Sequence, residues 1–562
     1  MSSQPQFPQW TTPYRKGPAP TPAWVQQRNV KPAPFRVREL LGLVGVALAV
    51  DVALWNGEWF GAGGIGVAIM LVAIPLIALA VARKTRRTAR LFVLAALLIG
   101  CAARTVVAPN AGSILSGLAL SFAFVVALRM RKTYVPELVS SAFSSLERFP
   151  SRVGAAFAGV KRAYATTRMG RFSVLPVVVP IGVAAAFLGV FALANPIVEH
   201  AVTAGWAAFA RVVGLPHPLR IGLWAATLIG GATLLRPACK KTVVQEAAVT
   251  TDEATSTNVQ IARNTLLLLN VMFAGYNALD AACLWAGVPP KGTTTQIYAH
   301  QGAAWLTVAL AMLTVVVGYL FRGALAHDSK ARLARILSYV WMGQGLVLAL
   351  GTYRRIAMHI AYSGLSDLRI VGILGTTLVV GGMALVLVKL VSTRSLGWLV
   401  RRQLDAFAAT FVLYAIFPTH LCAASVNVSR IEQGEYRPVL HLFRQASETE
   451  SVTTLLPLLH HQDARVRQGT AALLTQKREQ LESTLSQETS IRQRDLSSHR
   501  ALSALEAARA DIDAALDRAS SKGARSVLFE LSSAANEGAS LEELLSIPTA
   551  ELREGGDSSY TR

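Results

Sequence analysis

Charged, aromatic and histidine side chains interrupt or border the long apolar runs of this sequence, and residues of these types could bind a ligand or transfer a proton. An ionisable group at bilayer depth is costly unless a partner or water solvates it, so each one needs an explanation. Asp280 follows Tyr276 by four residues, which places both side chains on one face of a helix. The candidates are Asp51, Arg104, Glu199, His200, Tyr276, Asp280, Arg354, Arg355, His359, Asp367 and Arg369.

Three interpretations of these candidates stay open. Arg and Asp side chains near helix ends could pair and hold the spans together without any chemistry. An outward-facing polar pocket could instead bind a substrate such as an anion, with the arginines as donors and Asp280 as a titrating partner. Hydrolysis or group transfer with His359 or His200 as the base lacks support, because the sequence contains no HExxH, GxSxG, Walker loop or paired Cys/His motif. We therefore predict no catalytic residue, no metal site and no cofactor.

The composition is that of a membrane protein. Hydrophobic residues make up 52% of the chain and charged residues 16%, with a mean hydropathy of +0.41, whereas a soluble domain has roughly 25% charged residues. The formal charge of +22 is unevenly distributed, since residues 1–423 carry 39 basic and 13 acidic side chains and residues 424–562 carry 16 and 20. The positive excess therefore lies between apolar runs, where it meets anionic lipid, and we predict no nucleic-acid partner.

The elements that must position the candidate residues are about eleven apolar runs, each long enough to cross a bilayer core as a helix. The sequence thus predicts an all-α, polytopic transmembrane helix bundle over residues 40–423 with a small C-terminal soluble helical domain over 424–552. The predicted spans are 40–56, 61–82, 91–108, 112–128, 173–194, 219–235, 264–287, 302–321, 334–351, 370–390 and 403–423.

Basic residues are concentrated on alternate connections between these runs. Thirty-two of the 55 Lys and Arg residues lie in the N-terminal tail and in 83–90, 129–172, 236–263, 322–335 and 389–402. The positive-inside rule places these segments in the cytoplasm, including a flexible basic tail over 1–39. An odd number of spans leaves residues 424–552 extracytoplasmic, and one span more or fewer would reverse that side.

Helical periodicity continues outside the predicted spans. Segments near 136–170 and 196–215 carry apolar residues on one face, which predicts amphipathic helices on the membrane surface. For the first segment, a helix that packs against the cytoplasmic rim of the bundle explains the pattern equally well. Residues 452–475 are typical of a helical pair with a turn at 461–463, and a second pair follows up to a predicted break at Gly523. Residues 553–562 are predicted to be disordered.

Several stretches resemble, in order, an uncharacterised family of bacterial multi-pass membrane proteins that is classified as a domain of unknown function. Residues 362–369 (YSGLSDLR) are similar to the family's Tyr-Gly-Leu-Ser/Thr-x-x-Arg motif, although Ser363 is inserted. Residues 194–197, 298–302, 426–432 and 455–457 carry the rest of the resemblance, which covers roughly 170–510; His300 and Ala303 replace the Arg and Phe that the family tends to have. The resemblance implies a fold, a topology and a place in the bacterial inner membrane, without implying a mechanism.

These observations favour a non-enzymatic envelope protein that senses, scaffolds or binds a protein partner through residues 424–552. The alternative is a transporter or a lipid-handling protein that uses the outward-facing charges. The two hypotheses differ in whether Asp280, Arg355 and Arg369 converge on one water-accessible cavity.

Overall fold

A computed structural model of the protein describes residues 33–56, 59–61, 63–82, 88–130, 133–165, 216–238, 256–288, 303–321, 329–392, 394–517 and 519–550, together with a few isolated positions. The predicted span 173–194, almost all of the predicted surface helix 196–215, most of the tail 1–39 and residues 553–562 lie outside the described residues.

Leucine- and alanine-rich runs form the long helices, because these side chains have high helix propensity and leave water when they pack together. Each predicted span other than 173–194 overlaps a helix, and the last one, 403–423, overlaps two. A two-residue hairpin follows the first helix, with β1 (Trp55–Asn56) antiparallel to β2 (Trp59–Phe60). Before residue 417 the helices are α1 (Val37–Leu54), α2 (Gly64–Val81), α3 (Ala89–Val107), α4 (Ala111–Ala127), α5 (Val135–Glu147), α6 (Phe149–Ala165), α7 (Pro218–Leu235), α8 (Ser256–Asp280), α9 (Ala303–Leu320), α10 (Arg332–Ser363), α11 (Asp367–Val391) and α12 (Leu396–Ile416).

Two helix bundles lie side by side. Helices α1–α4 and α7 enclose one core, in which Leu71 and Cys101 are fully buried. Helices α8–α11 enclose a second core around Leu310 and Val317. Helix α12 contacts α11 of the second bundle and α3 and α4 of the first, so it joins the two.

Helix α10 is longer than the predicted span 334–351. Its 32 residues run without interruption to Ser363, which at about 1.5 Å per residue is about 48 Å, well beyond the roughly 30 Å of a bilayer core. The sequence predicted that the charged segment 353–359 lies outside this span, near the start of the predicted span 370–390. It lies instead in the last three turns of α10.

The predicted last span, 403–423, is interrupted. Helix α12 ends at Ile416, and α13 (Thr419–Glu432) continues after Pro418 at a 60° bend. Position 424, where the predicted domain boundary lies, falls inside α13. Proline has no backbone N–H and disfavours the helical conformation of the residue before it, which explains the break.

Among the described residues, six helices are long and apolar enough to cross a membrane, namely α2, α3, α7, α8, α10 and α11, and the bent pair α12–α13 would make a seventh. Helices α4 and α9 are shorter apolar helices. The protein is therefore a multi-pass membrane protein. The count of eleven spans stays a prediction.

The segment predicted as a surface helix near 136–170 forms two helices, α5 and α6, which meet at Arg148. Large apolar side chains on both remain exposed, among them Phe143 at 67% and Phe157 at 65%.

Residues 419–550 form the C-terminal helical region, which has an apolar core of its own built on residues such as Leu442, Leu474 and Leu528. The predicted turn at 461–463 is present. The predicted break at Gly523 is wrong, because this glycine lies in the first turn of α19 and donates its N–H to the capping Ser520. After α13 the helices are α14 (Leu442–Ser447), α15 (Val452–Leu455), α16 (Ala464–Ser486), α17 (Leu496–Ala507), α18 (Arg509–Leu516), α19 (Ser521–Glu537) and α20 (Leu541–Ser546).

Candidate functional site

Asp51, in the last turn of α1, forms a bidentate ion pair with Arg220 in the first turn of α7. Its carboxylate accepts hydrogen bonds from Arg220 Nε at 2.8 Å and Nη2 at 2.6 Å, and from Trp224 Nε1 at 2.9 Å. The guanidinium also lies over the rings of Trp55 and Trp224, 5.9 and 5.3 Å from their centroids. One cation and one indole thus satisfy a desolvated carboxylate, and the pair links α1 to α7.

Asp280 and Arg355 form the most deeply buried ion pair between described residues. Arg355 is 0% exposed and Asp280 3%, and Nη1 and Nη2 of the arginine donate to the two carboxylate oxygens at 2.7 and 2.5 Å. The next five residues, Ala281–Trp285, form a π-helix, and Arg354 Nε donates to the carbonyl of Leu284 at 3.1 Å. Consecutive arginines of α10 therefore hold the end of α8, where an irregular turn would otherwise leave polar groups unsatisfied.

The segment 362–369 joins the end of α10 to the start of α11 and supports the C-terminal helical region. We name it the docking turn. Gly364 has a φ of +90°, and a Cβ on it would lie 2.4 Å from Asn427 Oδ1. The side chain of Asn427, which is fully buried, accepts from the N–H of Leu365 at 2.7 Å and donates to its carbonyl at 2.8 Å. A glycine is needed because the backbone conformation and the close approach both exclude a side chain.

Arg369 and Asp367, at the start of α11, stabilise the docking turn through different partners. Arg369 donates to the carbonyl of Gly364 and, at 2.5 Å, to Ser363 Oγ. The Asp367 carboxylate lies 2.8 Å from Arg444 Nη2 and 3.3 Å from His420 Nδ1, both from the C-terminal helical region. Asp367 also lies in the first turn of α11, where the helix dipole favours a negative charge.

His441 fixes the docking turn through a neutral imidazole. Its Nε2 lies 2.9 Å from the carbonyl oxygen of Ser363, so Nε2–H is the donor. Burial, and after it the positive charge of Arg369, lowers the pKa of His441 from 6.5 to about 4. The ring therefore stays uncharged at neutral pH and can lie beside a guanidinium.

Two further arginines of the C-terminal helical region bind the end of α10. Arg430 donates to the carbonyls of Ile360 and Ala361 in the last turn of α10, and the Ile360 carbonyl also accepts from the N–H of Gly364 at 2.9 Å. The guanidinium of Arg437 lies over the Tyr362 ring, 3.9 Å from its centroid.

The first bundle holds the C-terminal helical region at a second place. Arg104, at the end of α3, donates to both carboxylate oxygens of Glu450 at 2.5 and 2.9 Å, and both side chains are less than 10% exposed. At the start of α2, the N–H of Ile65 donates to the carbonyl of Arg494 at 3.1 Å. The backbones touch there, since a Cβ on Gly63 would lie 2.1 Å from the Cα of Gln493.

The structure distributes the candidate residues over separate pairs rather than one cluster. Asp51, the Asp280–Arg355 pair and Arg104 each have their own partner, and only Asp367 and Arg369 share a site, the docking turn. Tyr276 is half-buried beside the second core, and His359 is half-buried within α10. Glu199 and His200 lie outside the described residues.

Sequence reasoning missed most of the partners. Arg220 was visible as a charge inside the predicted span 219–235, and Asn427 falls in the stretch 426–432 that the family resemblance singled out. The sequence did not mark Glu450 and Arg444 as partners, because charged residues are common in a polar segment.

A comparison with family models finds one that matches residues 40–453, described as a domain of unknown function (DUF4153). The expected resemblance to a domain of unknown function is confirmed, and the matched range begins and ends earlier than the predicted 170–510. No curated protein and no solved structure matches the chain.

Proposed function

This chain belongs to the family described as domain of unknown function DUF4153, and from that premise we propose that it is a non-enzymatic scaffold of the bacterial inner membrane. Its spans would hold the C-terminal helical region on the extracytoplasmic side as a rigid platform that binds a protein partner. Eleven spans and a cytoplasmic N-terminal tail belong to the same proposal.

The observation that carries the proposal is the way the C-terminal helical region is fixed to one end of the bundle. The charges that a transport site would need are used in these contacts. They lie at the docking turn, at the last turn of α10 and in the Arg104–Glu450 pair. Buried charges that are paired with each other specify one arrangement of the helices, and they are poorly suited to binding and releasing a ligand. The local pairing therefore weighs against a transporter that works through these residues.

The C-terminal helical region is itself cross-linked by a buried arginine. Arg465, which is 6% exposed, pairs with Asp463 at the start of α16 and donates to the carbonyls of Leu544 and Ile547 near α20. Burial alone would raise the pKa of Asp463, but hydrogen bonds from Arg465 outweigh it and hold that pKa below its usual value. A region tied together in this way is suited to presenting a fixed surface.

One groove on that surface supports a role in partner binding. A cavity of about 670 Å³ lies between α16 and α19, and its rim carries Phe529, which is 65% exposed and packs edge-to-face on Phe443 at 6.0 Å between centroids. Lys522 and Arg525 line the same groove. Exposed aromatic and arginine side chains around a concave surface are typical of protein interfaces.

The opposite end of the bundle supports the proposed orientation. Arg90, Arg401 and Arg402 lie over the Tyr134 ring, 4.6, 5.8 and 5.4 Å from its centroid. Asp405 accepts from Arg90 at 2.5 Å. This basic end corresponds to the connections that the positive-inside rule assigns to the cytoplasm.

Thiol labelling in intact cells tests the orientation. In a background without native cysteines, Ser483→Cys reports on the C-terminal helical region and Ser151→Cys on α6, and both serines are exposed. We expect a membrane-impermeant reagent to label position 483 and not position 151. Labelling of neither in intact cells, with labelling of both after lysis, would place both inside and overturn the proposal.

A photo-crosslinker tests partner binding. p-Benzoylphenylalanine in place of Phe529 should give one discrete crosslinked species in living cells, and that species should disappear when Arg525 is also changed to Glu. The same crosslinker at Ser483, which is exposed on α16, is the matched control. Equal crosslinking from both positions would show nonspecific contact and refute a partner site in this groove.

A further inference from the structure

Two adjoining cavities separate the C-terminal helical region from the ends of α3 and α12. They have volumes of about 340 and 480 Å³, and both are lined by Arg104, Thr449, Glu450 and Ser497. We name the larger one the junction cavity. It lies beside the Arg104–Glu450 pair, at the end of the bundle where the spans meet the C-terminal helical region.

The junction cavity has an apolar wall and a polar roof. Gly100, Ala103 and Val107 of α3 form one side of the wall, and the bend between α12 and α13 forms the other side with Ile416 and Leu421. Val107 is 39% exposed and Leu421 37%, so the wall continues into the outer surface of the spans. The roof consists of Thr449, Thr453, Ser497 and Arg500 from the C-terminal helical region.

The roof carries a positive charge that the fold does not use. Within the described part of the chain, the exposed guanidinium of Arg500 makes no ion pair or hydrogen bond. Arg104 also lines the cavity, but Glu450 takes its two Nη groups and its Nε is shielded from solvent, so Arg500 is the cation that an occupant can reach. An exposed guanidinium without a counter-ion favours an occupant that supplies oxygen acceptors.

The acidic residues nearby do not oppose an anion in the junction cavity. Glu450 is neutralised by Arg104. Glu448 and Asp495 line only the smaller cavity, where Asp495 caps α17 by accepting from the N–H of Ser498 at 2.8 Å. The Ser497 hydroxyl donates to Asp495 at 2.7 Å, so the roof donors beside Arg500 are the hydroxyl groups of Thr449 and Thr453 and the first turn of α17.

We propose that the junction cavity binds an anionic phospholipid. The phosphate would lie against Arg500 and the threonine hydroxyls of the roof, and the first acyl carbons would lie along the apolar wall. This inference rests on the membrane arrangement of the proposed function, in which the cavity lies at the level of the lipid headgroups. An apolar wall beneath a cationic, hydroxyl-rich roof matches the chemistry of a lipid headgroup and its acyl chains.

Native mass spectrometry of the full chain in a neutral detergent tests the proposal, with dioleoyl phosphatidylglycerol and dioleoyl phosphatidylcholine as probes. The wild type should retain the anionic lipid in preference to the zwitterionic one. Arg500→Gln should lower that preference about fivefold, which is the contribution of one arginine near a lipid surface. Arg509→Gln, an exposed arginine of α18, is the matched control and should leave the preference unchanged.

A second variant tests the apolar wall. Ala103 is exposed to the cavity, so Ala103→Phe fills it without disturbing the core, and it should also reduce retention of phosphatidylglycerol. Ala142→Phe on α5 is its control. Unchanged lipid preference in both Arg500→Gln and Ala103→Phe would overturn the proposal, as would full displacement of the lipid by millimolar inorganic phosphate, which would indicate a soluble anion instead.

This outcome is separable from that of the proposed function. Lipid retention in detergent does not depend on the side of the membrane or on a protein partner, whereas thiol labelling and crosslinking report only those two features. If the lipid experiment fails and the labelling and crosslinking experiments succeed, or the reverse, the outcome identifies which inference is wrong.

Discussion

Asp280→Asn is the sharpest test of the buried charges, because it removes one charge and keeps the shape of the side chain. Arg355 is 0% exposed and places Nη1 and Nη2 at 2.7 and 2.5 Å from the two oxygens of Asp280. An asparagine offers one acceptor oxygen and no negative charge. The guanidinium would therefore stay buried without a counter-ion.

The expected loss in the free energy of unfolding is about 3–5 kcal/mol, which is the usual cost of breaking one side of a buried ion pair. Replacing both partners with apolar residues, Asp280→Leu with Arg355→Met, should cost far less, because no charge then stays buried. The control Asp513→Asn breaks a pair whose side chains are 70% and 64% exposed, and it should cost at most about 0.5 kcal/mol.

A thiol-reactive fluorogenic dye provides the assay, since Cys283 is 5% exposed and lies three residues after Asp280 in the π-helix. In a variant of the detergent-solubilised protein that keeps only this cysteine, the labelling rate follows the population of the open state. A loss of 3 kcal/mol or more should raise that rate by about 100-fold or more. Labelling of Asp280→Asn within threefold of wild type, or a double variant as fast as the single one, would refute the reasoning.

Three further predictions concern the contacts of the C-terminal helical region. Gly63→Ala should lose about 1–3 kcal/mol of docking free energy because its Cβ would lie 2.1 Å from a backbone Cα, and limited proteolysis should release the region in this variant and not in Gly222→Ala, where nothing lies within 4 Å. Because the pKa of His441 is lowered from 6.5 to about 4, chiefly by burial, the unfolded chain binds more protons between these values; thermal stability should be full above about pH 6.5 and fall towards pH 4, and His441→Gln should flatten this profile. Arg369→Gln should lose about 1.5–3 kcal/mol in a thermal melt through its charge-assisted hydrogen bonds, whereas Arg509→Gln, at a largely exposed side chain, should change the melting temperature little.

Local sequence patterns predicted most of the helices, and the exceptions have local causes. The predicted span 334–351 stopped where charged residues begin, yet α10 continues to Ser363 because Asp280, the carbonyl of Leu284 and the docking turn give those residues partners. The predicted span 403–423 ran across Pro418, which ends one helix and starts another. Hydropathy responds to the composition of a window and not to the partners that make a charge acceptable.

Of the three interpretations of the candidate charges, local pairing fits the described geometry better than one outward-facing polar pocket. Each candidate charge was chosen as a residue that needs a partner. Among the described residues the partners lie in separate pairs, at the end of α8 or at the docking turn. Their partners could not be named, because Arg444 and Glu450 lie in a polar segment where any charge is unremarkable.

The sequence by itself determined that this is a multi-pass helical membrane protein, where most of its helices lie and which intramembrane charges require an explanation. These properties follow from the composition and period of consecutive residues, which the chain carries locally. Only the tertiary structure decided how the charges are satisfied, since Asp280 and Arg355 are 75 residues apart, Asp51 and Arg220 169, and Arg104 and Glu450 346. An ion pair has no sequence period, so its partners become known only when the helices have packed.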